Sequence, residues 1–170
     1  MAEVDFEVAV IPGLEESFPD SLPAEQTAEY LARMKMEGYE EYWSQPKTLV
    51  ITADTVVVLG DEVLGKPRDR EDAIAMLSRL SGAVHAVFTG VAIRTAERQS
   101  SFTASTQVFF KELQERDIID YVDRYRPFDK AGSYGVQEWI GLIGVGRIEG
   151  SFYNVMGLPV ATLYEELRKF

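Results

Sequence analysis

Asp54 is the residue most out of place in this sequence. It stands inside Leu49-Val50-Ile51-Thr52-Ala53-Asp54-Thr55-Val56-Val57-Val58-Leu59, a run whose other members are almost all apolar or β-branched. A carboxylate in such a strand is costly unless it is paired, capped or bound to a metal. It either caps a turn, pairs with a lysine, or does chemistry, and the polar Asp-Thr break in an apolar strand favours function. Two further stretches carry candidate groups. In Gly65-Lys66-Pro67 a lysine sits between two backbone punctuators, so its ammonium is aimed rather than floppy, although an ordinary surface turn reads the same way. Asp129-Lys130-Ala131-Gly132-Ser133-Tyr134-Gly135-Val136-Gln137 gathers a carboxylate, an ammonium, glycines and an amide. Glycines let backbone N–H groups approach a ligand and the polar neighbours fix its orientation; a glycine-rich turn without function is the plain alternative.

Weaker candidates are Lys35, which as a helical lysine is ordinarily solvated, and the loop pair Glu15-Glu16, which could supply a metal ligand. His85 opens a strand and reads as a packed or hydrogen-bonded histidine rather than a base. No G-x-x-x-x-G-K-[ST] or G-x-G-x-x-G segment supports the usual nucleotide folds. Ser-His-Asp hydrolysis is poorly supported, with one histidine and no G-x-S-x-G. Acids and lysines are what remain. Carboxylates that hold a hard cation, with lysines as point charges, suit phosphate-ester chemistry.

The positioning elements follow from period and punctuation. Phe6 to Ile11 alternates and reads as a short strand ended by Pro12-Gly13. Pro23 opens a helix from about Ala24 to Tyr42, with Ala24, Thr27, Ala28, Leu31 and Met34 as its buried stripe. The Asp54 run reads as a central strand buried on both faces, returning through Gly60-Asp61 to Val63-Leu64-Gly65. Asp69 caps a helix bearing Ala73, Met76, Leu77 and Leu80, with Gly82 as its stop. Strands are expected at Val84 to Ile93 and Phe102 to Phe110, then a helix with Ile118, Ile119, Val122 and Tyr125 before Pro127. The stretch from Gly132 to Gly157 suggests strands with tight turns, and Pro159 opens a last helix. Together these give an α/β fold with a mixed sheet, in one domain spanning 1–170.

Composition bounds the function. The chain has 170 residues and a net charge of −11. Up to Ser44 it carries eleven acids and two bases; the remainder is nearly balanced, with seventeen acids and fifteen bases. Nucleic-acid and anionic-membrane surfaces need a basic patch that this charge does not offer. With no cysteine and one histidine, disulfides, thiol nucleophiles and multi-histidine metal sites are excluded. No apolar run approaches the ~20 residues of a membrane helix, so a cytoplasmic protein is the expectation. Net charge does not exclude an anionic ligand: a charge pair ~4 Å apart is worth about 4 kcal/mol at an effective dielectric of 20, so a few enclosed lysines outweigh a distant acidic surface.

Several of these segments, in order, resemble the Maf family: Ile51-Thr52-Ala53-Asp54-Thr55-Val56-Val57, Leu64-Gly65-Lys66-Pro67, Met76 to Gly82 with His85, Thr89-Gly90-Val91, Asp129 to Gln137, and Asn154-Val155-Met156-Gly157-Leu158-Pro159. The resemblance runs from about Phe6 to the C-terminus. It implies a nucleoside triphosphate pyrophosphatase that cleaves between the α- and β-phosphates. The implied fold is Maf/inosine-triphosphatase-like, a twisted mixed sheet flanked by helices with two lobes around a cleft. By resemblance, Asp54 is the proton acceptor, Asp54, Glu16 and Asp129 are metal ligands for Mg2+ or Mn2+, and Lys35, Lys66 and Lys130 bind substrate. Thr55 and Gln137 match positions tied to base selection. The Tyr-Gly-Val-Gln form resembles the branch acting on dTTP and UTP, and modified pyrimidine nucleotides are a further expectation. A homodimer is a family expectation, as is the alternative of a nucleotide-binding regulator linked to cell division. Two departures stand out. Glu138-Trp139 follows Gln137 where the family often has glycine, and the family's opening Ser-x-Ser-Pro-Arg-Arg strand and helix are expected to be absent, since the chain enters after that point.

Overall fold

A computed structural model describes residues 5–13, 17–19 and 21–170. Five strands form one sheet in the order β2-β1-β3-β4-β5: β1 (Val50–Leu59), β2 (Glu62–Leu64), β3 (Val84–Arg94), β4 (Gln99–Phe110) and β5 (Val145–Glu149). The helices are α1 (Ala24–Glu37), α2 (Glu40–Trp43), α3 (Arg70–Leu80), α4 (Glu115–Tyr125), α5 (Trp139–Gly144), α6 (Phe152–Val155) and α7 (Val160–Leu167).

The alternation of β1 sorts the molecule into layers. Val56 and Val58 pack with Ala28 and Leu31 of α1, whereas Val57 packs with Leu77, Leu80, Val87, Val108, Tyr121, Val122 and Ile140 on the other face. Successive strand residues point to opposite faces, so Asp54 shares the α1 side and Thr55 the other. Helix α1 lies close on the sheet. Thr52 donates from Oγ1 to the Ala32 carbonyl at 2.7 Å, and a Cβ placed on Gly90 would fall 2.2 Å from the Glu29 backbone nitrogen. Gly90 is the register partner of Asp54 on β3. The lack of a side chain there lets α1 approach the strand that carries the candidate acid.

Several expectations hold in detail. Asp69 caps α3, its side chain accepting from the Asp72 N–H, and α7 follows Pro159. The α/β class also stands, but every strand pairing among the described residues is antiparallel rather than mixed. The β1–β2 hairpin reverses the chain before α3, so the next strand returns antiparallel beside β1. Phe6 to Ile11 is not a strand; it runs without a ladder, with Phe6, Val8 and Val10 76–81% exposed. Alternation alone cannot make a strand when no neighbouring edge accepts it. The first helix stops at Gly38 rather than Tyr42. Its buried stripe includes Ala32 and Met36 while Met34 faces solvent, because the period continues on one side of the helix. The glycine-rich stretch holds a 3-10 turn at Ala131–Ser133, the short helices α5 and α6, and only one strand, β5. Nor is β1 buried on both faces throughout, since Ile51 is exposed and Asp54 half-buried.

Candidate active site

Strand β2 pairs with β1 only from Val57 to Leu59. Along Ala53 to Val57 a cleft of about 540 Å³ opens, a volume in the ordinary range for small-ligand sites. Residues of both alternating sides of β1 line it, so it runs over the strand's edge. Phe18 and Leu31 wall one side; Asp129 to Ala131, Tyr134 to Gln137 and Val155 to Gly157 wall the other.

Asp54 meets Lys35 here. The Lys35 Nζ donates to Asp54 Oδ1 at 2.9 Å, and both side chains are largely sheltered, 22% and 15% exposed. The lysine sits in the last turn of α1, where a cation also suits the helix dipole. Two of the readings open to Asp54 are thus compatible: it is paired with a lysine and it lines the cleft.

Lys66 enters from the loop after β2. The Gly132 N–H donates to the Gly65 carbonyl at 3.1 Å, which ties this loop to the turn after Asp129. Gly132 has φ +66°, and a Cβ there would press within 3.2 Å of the Val57 side chain, so both conformation and space call for glycine. Asp129 pairs with Lys130 at 2.9 Å, and Lys130 also lies 3.4 Å from Glu138. The hydrogen bond from Lys130, with help from Lys66, holds the Asp129 carboxyl below its ordinary range. Burial works against the charge of Lys130, but Asp129 and Glu138 more than offset it and raise its pKa.

Two buried phenols anchor the Gln137 segment from below. Tyr121 donates to a Glu138 carboxylate oxygen and accepts from the Gly135 N–H at 3.1 Å. A Cβ on Gly135 would collide with the Glu138 side chain, so the acid takes up space that the glycine leaves. The Tyr134 hydroxyl shares a 2.8 Å hydrogen bond with His85 Nε2, and both rings stand edge-on to Phe110. Burial pushes His85 down to about 4, so it is neutral at physiological pH and packs rather than titrates there.

That burial has a measurable consequence. Between about pH 4 and 6.5 the unfolded chain protonates His85 and the folded chain does not. The contribution to stability is therefore complete above pH 6.5 and is lost as pH falls toward 4, by roughly 3 kcal/mol in all. Urea unfolding at stepped pH should show this extra loss in the wild type and not in His85→Gln; parallel curves would count against it.

Among the described residues no group of three or more His, Asp or Glu side chains gathers to hold a metal. Asp54 and Asp129 nevertheless line the same cleft. Magnesium is commonly held by one or two carboxylates together with substrate phosphates, so this donor set suits it without a protein cage. No helix among the described residues is long and apolar enough to cross a membrane.

The sequence profile of the Maf family, described as Maf-like protein, matches residues 1–170. The chain belongs to the Maf family. It is 54% identical over 166 residues to a dTTP/UTP pyrophosphatase of Bacteroides thetaiotaomicron, an alignment covering 98% of this chain and 86% of the relative. Proteins of the same name from Parabacteroides distasonis and Flavobacterium psychrophilum are 51% and 45% identical; the alignments cover 99% and 95% of this chain and 86% and 82% of those relatives.

In this Maf chain, Asp54, Thr55, Lys66, Asp129, Lys130 and Gln137 line one cleft, and Lys35 joins them through Asp54. Glu16 lies outside the described residues. Sequence reasoning missed Tyr121 and gave Glu138 no role. A tyrosine inside the apolar face of α4 was the available signal, because a buried phenol needs a partner for its hydroxyl.

Proposed function

We propose that this chain is a nucleoside triphosphate pyrophosphatase acting on dTTP and UTP. The observation that carries the reading is the Asp54–Lys35 pair on the edge of a cleft that also presents Lys66, Lys130, Asp129 and Gln137. The relatives named dTTP/UTP pyrophosphatase support the same substrate class.

In this reading Asp54 takes a proton from the attacking water, whose oxygen forms a bond to the α-phosphorus. The bond from that phosphorus to the bridging oxygen breaks, leaving monophosphate and pyrophosphate. Lys35 orients the Asp54 carboxylate toward the water through its 2.9 Å hydrogen bond. Lys66 and Lys130 place positive charge where phosphate charge accumulates, in a cleft partly shielded from water. Gln137 offers both donor and acceptor to a pyrimidine edge, and Thr55 offers its hydroxyl. Asp54 and Asp129 would hold Mg2+ or Mn2+, which when bound neutralises phosphate charge and polarises the phosphoryl oxygens.

Purified protein should release pyrophosphate from dTTP and UTP when Mg2+ is present. EDTA should reduce turnover at least about 100-fold, and added Mg2+ or Mn2+ should restore it. Undiminished turnover in EDTA would remove the metal from the account. No turnover of either nucleotide under any condition would remove the activity.

A further inference from the structure

Thr55 forms its hydrogen bond away from Asp54, on the opposite face of β1. Its Oγ1 lies 2.8 Å from Oγ1 of Thr89, the register partner of Thr55 on β3, and geometry alone leaves either hydroxyl free to donate. Thr89 settles the direction. Its Oγ1 also lies 3.0 Å from the Asn154 backbone carbonyl, and a carbonyl oxygen only accepts. Thr89 has one hydroxyl proton, and that proton goes to Asn154. Thr55 must therefore donate to Thr89, which leaves only lone pairs on Thr55 for anything in the cleft.

The carbonyl that sets this direction is itself held. Asn154 is fully buried, and its Nδ2 donates to the Val87 carbonyl and to Thr106 Oγ1, both at 3.0 Å. Val87 offers only a carbonyl, so the amide must turn its N–H side that way. Thr106 in turn donates to the Ser151 carbonyl at 3.2 Å, so it is free to accept from Asn154. Thr89 and Thr106 are 0% and 1% exposed, so water does not compete for these bonds. The chain of donors runs in one direction from the cleft into the core. Thr55 is its outer end, and the backbone of Gly157 passes close enough that a Cβ there would touch the Thr55 hydroxyl at 3.6 Å.

We propose that Thr89 and Asn154 are positioning residues that lock the Thr55 hydroxyl as a hydrogen-bond acceptor, and that this polarity selects a base carrying a ring N–H. Uracil and thymine carry such a proton at N3; cytosine presents a bare lone pair there. The inference rests on the reading that the cleft takes a pyrimidine nucleotide. An acceptor facing an acceptor leaves both desolvated and unpaired, and sites built around a hydrogen bond reject the analogue that lacks it strongly. Neither Thr89 nor Asn154 touches the ligand in this account. Both act through Thr55.

The test compares UMP and CMP binding by calorimetry, with kcat and KM for UTP and CTP alongside, in wild type, Thr89→Val and Thr89→Ser. Wild type should prefer UMP by at least tenfold. Thr89→Val keeps the shape of the side chain but frees the Thr55 proton to turn toward the ligand, so the preference should fall below threefold. The change should appear in KM, with kcat for UTP within threefold. Thr89→Ser restores the hydroxyl and should restore the preference. Should Thr89→Val not fold, Thr55→Ser and Thr55→Val read the same hydroxyl: serine keeps the preference and valine loses it. A full preference in Thr89→Val, an equal loss in Thr89→Ser, or no UMP preference in wild type would overturn the proposal. A UMP preference that collapses in Thr89→Val, in a protein that turns over no triphosphate, would uphold it and reject the pyrophosphatase reading alone.

Discussion

Asp54→Asn should lower kcat for UTP by about 10²–10⁴-fold, the range a positioned general base contributes. The loss reflects what the substitution removes, because it leaves the shape of the site in place. Asparagine has nearly the shape of aspartate, and its amide oxygen can still accept from Lys35 Nζ, now 2.9 Å from Asp54 Oδ1. The strand should therefore keep its place. The negative charge goes, however, and with it the group that accepts the water's proton. Steady-state kinetics with a circular-dichroism check on folding reads this directly. A kcat within threefold of wild type would show that Asp54 is a structural partner of Lys35 and nothing more.

Gly90→Ala carries the second large effect, on folding. Most glycine-to-alanine changes are mild, but here the added methyl would sit 2.2–2.3 Å from three backbone atoms of Ala28 and Glu29. A backbone cannot step aside as a flexible side chain can. Either α1 moves off the sheet or β3 bends, and overpacking in a dense core commonly costs about 1–3 kcal/mol before backbone strain is added. A loss of about 3 kcal/mol or more in urea unfolding is expected. Activity should fall with it, because Thr27, Ala28, Leu31 and Ala32 seat the helix that brings Lys35 to Asp54. Gly65→Ala is the matched control. Nothing lies within 4 Å of a Cβ at Gly65, so its stability should stay within about 0.5 kcal/mol. Equal unfolding midpoints for the two variants would mean that the close approach of α1 is not a constraint.

Much of this site is legible in sequence because its residues break local rules. Asp54 interrupts an apolar strand, Lys66 sits between glycine and proline, and Gln137 ends a glycine-bearing turn. Each of these anomalies lines the cleft. Lys35 was harder to see. A lysine on an amphipathic helix is ordinarily solvated, and only the seat of α1 on β1 and β3, permitted by Gly90, turns this one inward. The buried relays were harder still. Thr89 and Asn154 are 65 residues apart, and no local period relates a strand threonine to an asparagine in a short helix. Tyr121 looks like one more apolar residue of α4 until its hydroxyl is seen to hold both Gly135 and Glu138.

The fold shows the same division. Caps and hairpin turns are local, and Asp69 and Gly60-Asp61 behave as their chemistry dictates. Strand direction is not local: the β1–β2 hairpin before α3 reverses the direction in which β3 returns, so an α/β alternation yields an antiparallel sheet. Phe6 to Ile11 makes the converse point. Its alternation meets the requirement for a strand, yet a strand also needs an edge to pair with, and pairing is a property of the whole chain.

In the proposed reaction, water activated by Asp54 attacks the α-phosphorus of a pyrimidine nucleoside triphosphate. Turnover of UTP with Mg2+ in isotopically labelled water, followed by mass analysis of both products, shows which phosphorus the water attacks. UMP and pyrophosphate should appear in equal amounts, with the label in the UMP phosphate. Label in the pyrophosphate, or UDP and orthophosphate as products, would contradict the proposed reaction.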